Sequence, residues 1–243
     1  LKYKDPDLKI LFLHHSTGRN IWYGDVNENM CMVPRLLKEY NDQQGTKISI
    51  EERNFPQGNP YSWNNYPYDY YNIWVKHAGD KPYMEEPTLE ILTKNYDIII
   101  FKHCFPVSSI LEDDQLPDID SEKKTLSNYK LQYIAIKEKL LEFPQTEFII
   151  WTGAALIESQ TNIVEAKRAN EFADWVKNQW NETNDNIHVF DFRDIETEGG
   201  LYLKPEYAAG TNDSHPNKML SIKAARLFVK KIVNAIENKN TNL

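Results

Sequence analysis

Short apolar runs recur along the chain and alternate with longer segments of helical periodicity. The runs predict strands at 9–14, 47–53, 96–102, 147–151 and 187–191. Apolar residues at helical spacing predict helices at about 29–41, 85–95, 121–143, 166–181 and 220–236. Ser121 is the expected N-cap of the third of these helices. Strands that alternate with helices in this way predict an α/β fold, a three-layer α/β/α sandwich with a five-stranded parallel sheet.

The end of the first strand is the most informative junction. Residues 10–13 are an unbroken apolar run, typical of a strand that is buried on both faces, and polar residues follow directly. Because the next periodic segment predicts a helix, Ser16 is placed in a loop at the carboxyl end of a strand. Ligands of open α/β sheets bind at that edge. An alternative is that Ser16 only belongs to a turn that caps the following helix.

A second polar group, residues 211–217, precedes the last helix and contains Asp213 and His215. A serine hydroxyl is a poor nucleophile until a neighbouring base takes its proton, and His215 is the candidate base for Ser16. Asp213 is close enough along the chain to orient the imidazole and to stabilise its charged form. In an alternative interpretation, His215 only marks the entry of a helix that begins with Pro216.

Residues 54–87 are rich in Pro, Asn and aromatic residues, and they predict a folded but irregular insertion beside the site. Tyr and Trp interleaved with Asn suit stacking on sugar rings, although a small core or a partner surface would explain them too. The chain of 243 residues contains no internal repeat or linker. We therefore expect a single domain over 1–243 that includes this insertion.

The amino-acid composition limits the classes of partner that we expect for this protein. The net charge of −8 and the absence of any basic cluster longer than 230–231 argue against nucleic acid. No stretch approaches the roughly 18 apolar residues of a membrane span. Cys31 and Cys104 have no metal-ligand spacing and are either free or paired, and neither a metal nor a cofactor is expected. The first residue is Leu, which suggests either a trimmed sequence or a mature chain without its signal peptide, and the latter predicts a secreted or periplasmic location.

From about 9 to 233 the sequence resembles the SGNH hydrolases, the GDSL-like lipases and esterases. In that family a nucleophilic Ser follows the first strand, a Gly the second and an Asn the third, and an Asp-x-x-His motif precedes the last helix. Three segments resemble these blocks: 12–18 (FLHHSTG), 54–58 (NFPQG) and 213–217 (DSHPN). The resemblance implies a flavodoxin-like sheet of the SGNH hydrolase type. It also implies a catalytic Ser16, His215 and Asp213, with an oxyanion held by the N–H groups of Ser16 and Gly58.

The sequence departs from the family pattern at three places. The third block, 101–106 (FKHCFP), lacks the Asn that completes the oxyanion hole, and His103 or Lys102 is the expected replacement. His15 and its neighbour His14 stand where the family has Gly-Asp, and we expect His15 to lie near the site. The Asp-x-His spacing resembles that of SGNH-like polysaccharide O-acetyltransferases, which leaves acyl transfer open.

The expected function is ester hydrolysis through Ser16, with a carbohydrate O-acyl group, such as acetyl, as the substrate class. A lipase, an acyl-thioester hydrolase and an acetyltransferase would use the same residues. A glycan-binding protein that keeps the fold without activity is an alternative. So is a flavodoxin-like cofactor-binding module in which 16–20 cradles a flavin phosphate. The oligomeric state, the acyl group and the alcohol stay open.

Overall fold

The computed structural model describes residues 8–25, 30–183 and 185–241. A five-stranded sheet in the order β2-β1-β3-β4-β5 lies at its centre, and all four neighbouring pairs are parallel. The strands are β1 (Leu8–His14), β2 (Ile48–Asn54), β3 (Ile98–Phe101), β4 (Glu147–Trp151) and β5 (Ile187–Phe190). The predicted parallel sheet is confirmed.

Helices connect and flank the strands. They are α1 (Thr17–Tyr23), α2 (Met32–Gln44), α3 (Pro67–Tyr71), α4 (Leu89–Leu92), α5 (Leu126–Leu141), α6 (Ile163–Trp175), α7 (Phe192–Thr197) and α8 (Lys218–Thr241). Single π-helical segments, Asn72–Lys76 and Val176–Trp180, continue α3 and α6. Helix α5 begins after Thr125, so the prediction of Ser121 as its N-cap is wrong. The start predicted for α2, near 29, lies outside the described residues.

Both faces of the sheet are covered, which explains the unbroken apolar runs. Ile98 and Ile100 of β3 point into a cluster with residues of α1, α2 and α8. Ile99 and Phe101 point the other way, into a cluster with residues of α3, α5 and α6. Since successive side chains of a strand face opposite sides, a strand between two helical layers must be apolar at every position. The three-layer α/β/α arrangement is thereby confirmed.

The aromatic segment after β2 differs from the prediction. Its second half is helical, and Tyr70 and Trp74 are fully buried there. The Tyr70 ring stacks on Phe101 of β3 with 5.0 Å between the centroids, and its hydroxyl donates a hydrogen bond of 3.2 Å to the Lys102 carbonyl. This part is therefore a regular element that packs on the sheet as the chain passes from β2 to β3. Residues 55–66 keep the irregular path that was expected.

The described residues answer the question of cysteine pairing, which the sequence left open. Cys31 and Cys104 are both free thiols. None of the helices in the described ranges has the combination of length and apolar character that a bilayer crossing demands.

Candidate active site

Ser16 lies in a tight turn between β1 and α1. Its backbone has φ 37° and ψ −97°, a region that residues with a side chain rarely adopt. The turn is closed by hydrogen bonds of 2.9 Å from Gly18 N–H to the His15 carbonyl and from Arg19 N–H to the Ser16 carbonyl. A Cβ at Gly18 would lie 2.6 Å from the His14 side chain, so this turn requires glycine there. Strain of this kind is typical of functional turns.

His215 is positioned by a two-stranded antiparallel ribbon, β6 (Ala208–Gly210) and β7 (Asp213–Pro216), where the sequence had predicted only a loop. The loop after β4 holds the ribbon from one side, because Ile157 N–H donates a hydrogen bond of 3.0 Å to the Ser214 hydroxyl. Helix α1 holds it from the other side, through a 3.2 Å bond from Asn20 Nδ2 to the Pro216 carbonyl. The elements that carry Ser16 and His215 are thus tied directly together.

Ser16, His215 and Asp213 form a continuous hydrogen-bonded relay. His215 Nδ1 lies 2.6 Å from Asp213 Oδ1, which also accepts a 2.9 Å bond from the His215 backbone N–H. These two bonds lower the pKa of Asp213. Since Nδ1 donates to the carboxylate, Nε2 is free to accept the hydrogen bond from the Ser16 hydroxyl. The structure therefore brings together the three residues that the sequence predicted as the catalytic set.

The ring of His215 has a further contact that the sequence did not reveal. Phe105, in the loop after β3, packs edge-on against it with 5.2 Å between the centroids. This is the loop that carries an Asn in the SGNH hydrolases, and here it supplies an apolar contact to the base. Residues 101–106 therefore contribute to the site through the packing of Phe105 on His215.

The glycine loop after β2 is held by Glu86. The Gln57 N–H donates a 2.6 Å hydrogen bond to Glu86 Oε1, and the Gly58 N–H also faces this carboxylate. Burial of Glu86 raises its pKa to about 7 despite these two N–H groups. Gly58 itself has φ +78°, which favours glycine. Its N–H is directed toward Glu86, so its role as an oxyanion donor stays a prediction.

His15 fastens the same loop beside Ser16. It is buried, its Nε2 donates a 2.7 Å hydrogen bond to the Pro56 carbonyl, and its ring lies 4.0 Å from that of Trp63. Burial lowers the pKa of His15 to about 4, so the ring is neutral at physiological pH. His15 therefore positions the glycine loop next to the nucleophile as a neutral side chain.

His103 requires a correction. It was expected to replace the missing oxyanion donor, but it is 2% exposed and lies among aromatic rings, 4.7 Å from that of Tyr70 and 5.5 Å from that of Tyr133. Neither ring nitrogen has a hydrogen-bond partner among the described residues. Lys102 is also fully buried, on the opposite face, and burial lowers its pKa. In this conformation neither side chain reaches a substrate at the surface.

Sequence reasoning missed three contributors to the site: Trp63, Glu86 and Phe105. A Cβ on Gly58 would meet the Trp63 ring at 2.7 Å, so this ring covers both Gly58 and His15. Trp63 belongs to the aromatic-rich segment 54–87, but its position in the sequence did not distinguish it from the other aromatic residues there. Among the described residues there is also no group of His, Cys, Asp and Glu that could hold a metal ion.

The chain was compared with known protein families, curated proteins and solved structures. No protein-family model and no curated protein matches the chain. Solved structures do match. A lipase/acylhydrolase from Enterococcus faecalis is 14% identical over 93% of this chain and 95% of its own, with a TM-score of 0.54. This chain shares the fold of that protein. A lipase from a goat rumen metagenome is similar as well, with 12% identity over 92% of this chain and 97% of its own and a TM-score of 0.53.

These matches confirm the fold that the resemblance to SGNH hydrolases implied. At such low identity the similarity describes the path of the chain. The chemistry has to be argued from the geometry of Ser16, His215 and Asp213.

Proposed function

We propose that this protein is a serine ester hydrolase in which Ser16 is the nucleophile, His215 the base and Asp213 the residue that orients the base. One observation carries the proposal: the hydrogen-bonded relay from the Ser16 hydroxyl through both ring nitrogens of His215 to Asp213. A turn that only caps a helix has no need of a histidine on its hydroxyl. The strained backbone of Ser16 and the acylhydrolase fold support the same function.

The relay defines the steps. His215 Nε2 takes the hydroxyl proton as Ser16 Oγ attacks the ester carbonyl, and Asp213 stabilises the imidazolium that forms. The tetrahedral intermediate then expels the alcohol, which receives the proton from Nε2, and the acyl group remains on Ser16. Water, deprotonated by His215, then attacks the carbonyl of the acyl-enzyme. The second tetrahedral intermediate expels Ser16 Oγ, which takes the proton back from Nε2, and the acid is released. The Ser16 N–H stabilises the oxyanion, and the Gly58 N–H joins it when it turns away from Glu86.

We propose a carbohydrate O-acyl group, such as acetyl, as the ester that is cleaved. Trp63 supports this class, because the residue is 55% exposed although its ring packs on His15, the residue before the nucleophile. An exposed indole beside a nucleophile offers a flat apolar face to a sugar ring.

The experiment is labelling by a fluorophosphonate probe, measured by intact mass and peptide mapping. Wild type is compared with Ser16→Ala, His215→Ala and the control Ser49→Ala, an exposed serine of β2 outside the relay. We expect one adduct on Ser16 that is absent in the first two variants and unchanged in the control. Circular dichroism establishes that each variant is folded. Hydrolysis of acetylated xylan fragments and of p-nitrophenyl acetate is then measured on the same proteins.

No adduct on folded wild-type protein would refute an activated serine, and the glycan-binding alternative would take its place. An adduct on another residue would refute the assignment of Ser16. If Ser16 is labelled but acetylated xylan fragments are hydrolysed no faster than p-nitrophenyl acetate, the serine hydrolase is retained and the carbohydrate substrate is refuted.

A further inference from the structure

A cleft of about 430 Å³ opens in the aromatic segment, outside the Ser16 relay. It lies between the irregular part after β2 and the turn that precedes α4. The residues that matter for its chemistry are Tyr61, Ser62, Asn64, Tyr68, His77 and Tyr83. Aromatic rings and uncharged polar groups share the lining with the charged side chains of Lys76 and Glu122, and Lys76 is paired with Asp120 at 2.7 Å.

The floor of the cleft is fixed by buried polar groups. Asp69 is buried and accepts hydrogen bonds from the Tyr66 N–H, at 3.2 Å, and from the Tyr61 hydroxyl. Asn72 Nδ2 donates a 2.8 Å bond to the same Tyr61 hydroxyl. Side chains held in this way do not have to be ordered when a ligand binds, which lowers the cost of binding.

One wall is a flat platform of two rings. His77 and Tyr83 stack with 3.7 Å between the centroids and 8° between the planes. His77 is held in place because its Nδ1 donates a 2.9 Å hydrogen bond to the Asn72 carbonyl. Tyr83 remains partly exposed, and Met84 beside it is 41% exposed. The platform is a preformed face of the kind on which the apolar face of a sugar ring stacks.

Part of the cleft lining is polar and adjoins Trp63 in the sequence. Ser62 and Asn64 are exposed and line the cleft, and Asn64 Nδ2 donates a 2.7 Å bond to the Ser62 hydroxyl. Trp63, between them, points to the other side and meets the ring of His15. Ser62 and Asn64 of the cleft thus flank Trp63 in the sequence, and the ring of Trp63 contacts His15, the residue before Ser16.

We propose that this cleft binds a carbohydrate chain, with one sugar ring on the Tyr83 platform and its hydroxyl groups on Ser62 and Asn64. The combination of flat rings with hydroxyl and amide groups favours sugars over a lipid tail. The part of the inference that joins the cleft to a substrate of Ser16 rests on the proposed function, whereas binding in the cleft does not.

Binding is tested without catalysis, in the Ser16→Ala protein. It is titrated with xylohexaose, cellohexaose, chitohexaose and mannohexaose by isothermal titration calorimetry. We expect at least one of them to bind, and Tyr83→Ala to weaken that binding by about fivefold or more, as for the loss of a stacking contact. The matched control is Tyr40→Ala, because Tyr40 is also a partly buried tyrosine but packs on the opposite face of the sheet.

The outcomes are separable. If none of the four oligosaccharides binds to the folded protein, or if Tyr83→Ala and Tyr40→Ala bind equally well, the inference is wrong. Binding that depends on Tyr83, together with no fluorophosphonate adduct on Ser16, would retain the cleft and refute the hydrolase. An adduct on Ser16 without oligosaccharide binding would retain the hydrolase and refute the cleft.

Discussion

Replacement of Gly58 by alanine tests how the glycine loop is held at the nucleophile. Gly58 has φ +78°, and an added Cβ would lie 2.7 Å from Cε3 of Trp63. A side chain at positive φ costs about 1 to 2 kcal/mol. The contact is relieved when the indole moves away, at the loss of its packing on His15, about 0.5 to 1.5 kcal/mol for a ring pair. We therefore expect Gly58→Ala to lower the free energy of unfolding by about 1.5 to 3.5 kcal/mol.

The chain offers a matched control for the backbone contribution. Gly45 ends α2 with φ +68°, and no atom lies within 4 Å of a Cβ built there. Gly45→Ala should therefore cost only the backbone contribution, about 1 to 2 kcal/mol. In a Trp63→Ala background, Gly58→Ala should cost the same small amount, because the ring that it displaces is already gone. The difference, about 1 kcal/mol, is the coupling between Gly58 and Trp63.

The assay is urea unfolding followed by circular dichroism on the five proteins, with the fluorophosphonate labelling rate measured alongside. If Gly58→Ala costs no more than Gly45→Ala, and costs the same with and without Trp63, the ring does not constrain the loop and the reasoning fails. We expect the labelling rate of Ser16 to fall in Gly58→Ala and to stay unchanged in Gly45→Ala.

Three further predictions concern groups around the site. Asp213→Asn should slow labelling of Ser16 by about 10² to 10⁴-fold at unchanged stability, because the tautomer of His215 is lost; equal rates would contradict the relay. Asn217→Ala should lower the free energy of unfolding by about 1 to 2 kcal/mol, because Asn217 Oδ1 accepts the Leu220 N–H at the start of α8; an unchanged urea midpoint would contradict this. Burial raises the pKa of Glu86 from 4.5 to about 7 in the folded protein, so the folded state holds this proton more tightly than the unfolded state does. As the pH rises from about 4.5 to about 7, the free energy of unfolding of wild type should therefore fall relative to that of Glu86→Gln, by up to about 3 kcal/mol. Parallel pH profiles of the two proteins would refute the shift.

The strands were predictable because burial on both faces leaves a clear signature. Five apolar runs gave five strands, and polar residues at two chain positions pointed to Ser16 and His215. The ribbon that carries His215 was not predictable. Its strands are short and lack an apolar run, and they are held by contacts distant in sequence, such as the bond from Ile157 N–H to Ser214.

The helical half of the aromatic segment was missed for a related reason. Its tyrosines have modest helix propensity, and Pro67 was interpreted as a mark of irregular chain although it begins α3. Tertiary packing on Phe101 then outweighs propensity. His103 was misjudged in the other direction. Its position at the end of a strand suggested a site residue, but the alternation of side chains along the strand directs its ring into an aromatic core.

The proposed mechanism requires hydrogen-bond donors for the oxyanion. With Lys102 and His103 buried, the N–H groups of Ser16 and Gly58 stay the predicted oxyanion donors, and the loss of one donor typically costs about 3 to 4 kcal/mol. Glu86 decides whether Gly58 is available, because an ionised carboxylate accepts its N–H more strongly than a neutral acid or amide does. The labelling rate of Glu86→Gln should therefore exceed that of wild type above pH 7 and approach it below. If the two rates keep a constant ratio across this range, Glu86 only holds the loop, and the oxyanion depends on Ser16 alone.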